Sequence, residues 1–117
     1  MSSKIEKVSD FILEAHERGS TFYNLEKDMK PEDFDEAYKI QYRLRQKLPR
    51  GPLGGYKIAL SSKIQQDYHK ISQPVYGGLF KNEIFSSPKT LALNNYHRMS
   101  VEFELAFELS DRIMDPS

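Results

Sequence analysis

Apolar positions recur at helical spacing in the first third of the chain and at strand spacing afterwards. Ile5, Val8, Ile12 and Ala15 predict a first helix. Ser3 and Glu6 have the spacing of a capping box, in which the serine oxygen takes one free amide and the glutamate reaches back to another. Gly19 suits the left-handed residue that ends such a helix. A second helix is predicted from Asp33, with the apolar stripe Phe34, Ala37, Tyr38, Leu44 and Leu48 interrupted by Gln41, and with Pro49 as its stop. "RGPLGG" then reads as a turn. "GYKIALSS" alternates, with Tyr56, Ile58 and Leu60 on one strand face and Lys57, Ala59 and Ser61 on the other. "SKIQQDYHK" predicts a short helix capped by Ser62, and "PVYGGLF" a glycine-rich loop. Short strands are expected at 84–85 and 91–93, and a longer one from Ser100 to Leu109.

Helices first and strands after imply an α+β fold, with an N-terminal helical region over 1–50 and the first part of a β-rich core over 51–117. The chain ends in "DRIMDPS", directly after its best strand, and a strand needs neighbours or a covered edge. More sheet is therefore expected to follow, and an open sheet edge favours assembly into a homo-oligomer.

Composition narrows the function classes. In 117 residues, 17 basic side chains balance 17 acidic ones, so no net charge draws the chain to nucleic acid or anionic lipid. The one basic cluster, "RLRQKLPR", is short and follows the acids of "EDFDE". No cysteine is present, which excludes disulfides and thiolate chemistry. Mean hydropathy is −0.65 and no apolar run approaches the ~18 residues that span a bilayer. The first residues lack the apolar core of a secretory signal, so a cytoplasmic location is expected.

The candidate chemistry lies in "SVEFELAFEL". Written as a strand, Val101, Phe103, Leu105, Phe107 and Leu109 face one way, and Glu102, Glu104, Ala106 and Glu108 the other. Glutamate is a poor strand residue, so three on one side require a reason. At ~3.3 Å per residue, Glu102 and Glu104 stand roughly 7 Å apart along the backbone, close enough to converge on one ion. Mg²⁺ commonly takes one or two carboxylates and completes its shell with water and substrate. The solvated face of a half-buried sheet would show the same pattern, and spacing alone does not choose. His16, His69 and His97 sit in different elements and add no ligand set. Lys57 shares its face with the small Ala59 and Ser61; in a tight, partly dry place its pKa would fall, whereas a lysine pointing to water would be ordinary.

Four segments in order, "DEAYKIQ", "GGYKIALSS", "QPVYGGLF" and "VEFELAFEL", resemble the 2-keto-4-pentenoate hydratase and 4-oxalocrotonate decarboxylase family within the fumarylacetoacetate hydrolase superfamily. The resemblance implies a mixed β core carrying a Mg²⁺ or Mn²⁺ site. Glu102 and Glu104 fall on its paired metal-binding acids, Lys57 on the active-site lysine of its G-W-K-I-G-L-T-S segment, and Ser62 on that segment's closing serine, which would bind substrate. Tyr56, Ala59 and Ser61 replace tryptophan, glycine and threonine there. A third acidic ligand is implied well beyond the E-x-E pair; Asp111 and Asp115 come too early for it. On this resemblance the chain reads as the N-terminal half of such an enzyme.

The activity implied is a lyase that adds water to an unsaturated 2-keto or 2-hydroxydienoic acid through a metal-stabilised enolate, as in aromatic compound catabolism. A decarboxylase of the same family and a catalytically silent piece acting only through association with other chains are the alternatives.

Overall fold

The computed structural model describes residues 2–20 and 24–113. Helix α1 spans Lys4–Arg18 and helix α2 Phe34–Lys47. Ser3 and Asp33 cap them as expected, accepting from the amides of Glu6 and Glu36. Gly19 ends α1 in the left-handed conformation at φ 61°, where a side chain would be strained. The second arm of the capping box at α1 goes elsewhere: the Glu6 carboxylate accepts from Arg43 Nε at 2.7 Å and Nη2 at 2.9 Å, across to α2. Lys47 joins it, donating to Glu6 at 2.9 Å, to Asp10 and to the buried Ser9 hydroxyl. A tertiary clamp replaces a local cap because a bidentate arginine fork offers a carboxylate more than one backbone amide does.

Beneath the clamp, Val8 of α1 and Ile40 of α2 line one apolar hollow, and these two are buried with Ala15 and Phe80 as the core among the described residues. Ile40, three residues after Ala37 and four before Leu44, belongs to the buried stripe of α2, which the expected set of apolar positions omits. Arg43 and Lys47, from the one basic cluster, are thereby engaged by acids of α1.

Strand β1 spans Leu53–Ala59, followed by helix α3, Lys63–His69, with Ser62 as its cap. Leu60 turns the chain at φ 56° between them, and Gln66 of α3 donates to the Leu60 carbonyl at 3.0 Å, fixing that turn. "PVYGGLF", expected as a loop, is strand β2, Val75–Phe80. It pairs antiparallel with β1, Ile58 opposite Tyr76 and Lys57 opposite Gly77, with a bulge at Gly54. Glycine suits a ladder here because of close approach: a Cβ on Gly78 would meet the Leu53 methyls at 2.8 Å.

Helix α2 closes the outer edge of β2. Gln41 donates to the Tyr76 carbonyl at 3.0 Å, the Tyr76 amide donates to the Tyr38 hydroxyl, and the two tyrosine rings stack at 4.4 Å. Gln41, which interrupts the apolar stripe of α2, thus satisfies a strand edge. The described residues form three helices and a two-stranded sheet, an α+β arrangement.

The later strands do not form. Residues 81–83 and 93–95 are single 3₁₀ turns, and 100–109 has no regular secondary structure. The physical reason is the missing ladder: no described segment supplies backbone partners to 100–109. Its alternating apolar row stands in solvent, with Phe103 99% exposed. The apolar face of β1 is likewise open, since Tyr56 and Ile58 are exposed whereas the Lys57 face is half-buried.

Candidate functional site

β1 sets Lys57 on the half-buried face of the hairpin, opposite Gly77. The neighbours of Lys57 on that face are small, since Gly77 has no side chain and Ala59 only a methyl. From Lys57 the Nζ donates to Glu102 Oε2 at 2.8 Å and to Glu104 Oε1 at 2.5 Å. These two contacts bring together residues 45 and 47 positions apart. Both carboxylates therefore converge on one point, as their i, i+2 spacing allows, even though 100–109 makes no ladder.

Electrostatics follow from this convergence. Hydrogen bonds to Glu102 and then Glu104 raise the Lys57 pKa above its ordinary value, opposite to the direction expected for a dry pocket. The Glu102 carboxyl is held below its usual range, first by its hydrogen bond and then by its charge attraction to Lys57. The desolvation that would lower the lysine is outweighed because its ammonium remains partly in water and has two anions within reach.

Two carboxylate oxygens directed at one point are a donor set that suits a hard divalent ion with water and substrate completing its shell. Among the described residues, no group of three or more histidines and acids gathers as a complete protein-only site. Asp111 lies in a bend and Asp115 outside the described residues, and among the described residues no histidine joins the two carboxylates in a group of three. Ser62 accepts the Gln65 amide at 3.3 Å as the cap of α3, which leaves its O–H to donate.

Two features of the site escape strand and helix periodicity. Gly77 opposite the lysine follows only from the β1–β2 register, and Gln41, a polar break in an apolar helix stripe, is the one visible sign that α2 docks on β2.

An open apolar hollow of about 510 Å³, lined by Tyr56, Ile58, Pro74, Val75 and Tyr76, lies on the hairpin. Tyr56 and Tyr76 meet edge to face in its wall, with ring centroids 6.2 Å apart.

No protein-family model matches the chain, and no solved structure matches it significantly. Curated hydratases do. The chain is 33% identical over 85 residues, 71% of its length, to the 2-oxo-hept-4-ene-1,7-dioate hydratase of Escherichia coli. It is 30% identical over 108 residues, 89% of its length, to the 2-keto-4-pentenoate hydratase of Paraburkholderia xenovorans strain LB400. The same identity and length relate it to 2-keto-4-pentenoate hydratase 3 of Pseudomonas putida. It spans 32% of the Escherichia coli protein and 39% of each of the other two. Over most of its own length, then, this chain is similar to hydratases of unsaturated keto acids, and it corresponds to about a third to two-fifths of them.

Proposed function

We propose that this chain carries the ion-binding and charge-handling part of a hydratase acting on an unsaturated 2-keto or 2-hydroxydienoic acid. The observation that carries the reading is the meeting of Lys57, Glu102 and Glu104 at one point, in a chain similar to curated hydratases. Glu102 and Glu104 would hold Mg²⁺ or Mn²⁺, which supplies Lewis-acid polarisation of the substrate's 2-oxo oxygen. Lys57, released from those oxygens when the ion is held, would move a proton or steady the negative charge that accumulates on the substrate oxygen as water adds to the conjugated alkene. The Ser62 hydroxyl donates to substrate from the start of α3. Loss of carbon dioxide in place of water addition would draw on the same residues.

The exposed apolar row from Val101 to Leu109 favours an assembled form, and we assign the working state as a homo-oligomer in which that row is covered. The test of function is hydration of a 2-hydroxydienoate, followed by loss of its absorbance with Mg²⁺ or Mn²⁺ present. Glu104→Gln is expected to abolish metal-dependent turnover, and retained turnover removes Glu104 from the site.

A further inference from the structure

Lys57 does more than stand near the paired acids: its ammonium occupies the point where their oxygens converge, 2.8 Å from Glu102 Oε2 and 2.5 Å from Glu104 Oε1. A divalent ion taking those two oxygens, at the ~2.0–2.1 Å typical of Mg²⁺, would leave no room for Nζ in the same place. Ion and ammonium are therefore alternatives. We propose that Lys57 is an internal countercation that bridges Glu102 and Glu104 in the metal-free chain and must swing aside for a divalent cation to enter, so that it sets the affinity and selectivity of the site. This rests on the reading of Glu102 and Glu104 as ion ligands.

Three observations support the exchange. The bridged carboxylates sit two residues apart on a segment with no ladder, so their mutual repulsion would otherwise spread them. A lysine stem has four rotatable carbons and a point charge, so it can release without disturbing its strand. Its side chain is 39% exposed and has only Gly77 of β2 across the ladder and Ala59 two residues on as neighbours on its strand face, so the ammonium can turn toward water. Removing the lysine has two opposed effects: the carboxylates lose the cation that gathers them, and the entering ion loses its competitor. Loss of the competitor prevails because the entering ion performs the gathering itself with twice the charge.

The test is Mn²⁺ titration by electron paramagnetic resonance of the free ion, at fixed pH and ionic strength, on the wild-type chain, Lys57→Met, Lys57→Gln and Glu104→Gln. Far-UV circular dichroism checks folding through α1 and α2. Both lysine variants are expected to bind Mn²⁺ roughly tenfold more tightly than wild type, the scale expected when two partly exposed ion pairs no longer oppose binding. Glu104→Gln is expected to weaken binding. Equal or weaker binding in the lysine variants, with Glu104→Gln still weakening it, overturns the countercation role and leaves the ligand assignment standing. Binding that ignores Glu104→Gln overturns the ligand assignment and the countercation role together.

Discussion

Truncating Ile40 to alanine tests whether α1 and α2 form the packed base that the rest of the chain builds on. Ile40 is 5% exposed and lies against Val8 and Leu44 around an apolar hollow of about 260 Å³ between the helices. Ile40→Ala removes three buried carbons, which at ~0.8 kcal/mol each gives ~2.4 kcal/mol of lost transfer free energy. A void term adds to this, but Leu25 and Ile12 on the hollow's wall can move in and limit it, so the low end of the ~2–5 kcal/mol range is expected. Urea denaturation followed by the helical circular dichroism signal measures the loss, and thermal melting should fall by ~8–12 °C, at ~4 °C per kcal/mol. Ile64→Ala on α3 is the control, since that side chain is 83% exposed and its loss should stay within ~0.5 kcal/mol. A loss at Ile40 below ~1 kcal/mol, or one no larger than at Ile64, would refute the packing argument.

Other outcomes follow from the clamp and the hairpin. Hydrogen bonds from Arg43 and then Lys47 hold the Glu6 carboxyl at about 2 against an ordinary 4.5, so its contribution is fully present above pH 4.5 and is lost as pH falls through about 2. The urea midpoint should decline over that window in wild type and more weakly in Glu6→Gln; equal slopes would show that the ion pairs do not link α1 to α2. At Lys47, burial pulls the pKa down, yet hydrogen bonds to Asp10 and Glu6 outweigh it and raise the net value. Lys47→Met should therefore weaken the same helix pair at neutral pH, read as a lower urea midpoint. Gly54→Ala would place a Cβ 2.9 Å from the Lys81 backbone and should cost ~1–3 kcal/mol, whereas Gly77→Ala meets only Gln41 at 3.8 Å and should cost less. Equal costs would mean that the bulge at Gly54 yields freely.

How far the sequence reaches is shown by particular residues. Ser3, Gly19, Asp33 and Ser62 mark helix ends by interactions within a few residues of themselves, and all four take those places in the structure. The strand alternation around Lys57 is equally local, and β1 forms there. The i, i+2 spacing of Glu102 and Glu104 is enough to allow one point of convergence, which the structure supplies.

Tertiary structure decided the rest, because each remaining feature depends on a partner distant in sequence. Glu6 has the spacing of a local cap, but Arg43 and Lys47 compete for its carboxylate and win. "PVYGGLF" has the composition of a loop and becomes a strand because β1 pairs with it on one side and α2 bonds the Tyr76 backbone on the other. "VEFELAFEL" has the clearest strand alternation in the chain, yet it forms no strand among the described residues, since periodicity selects a face and only a neighbouring backbone can supply the hydrogen bonds.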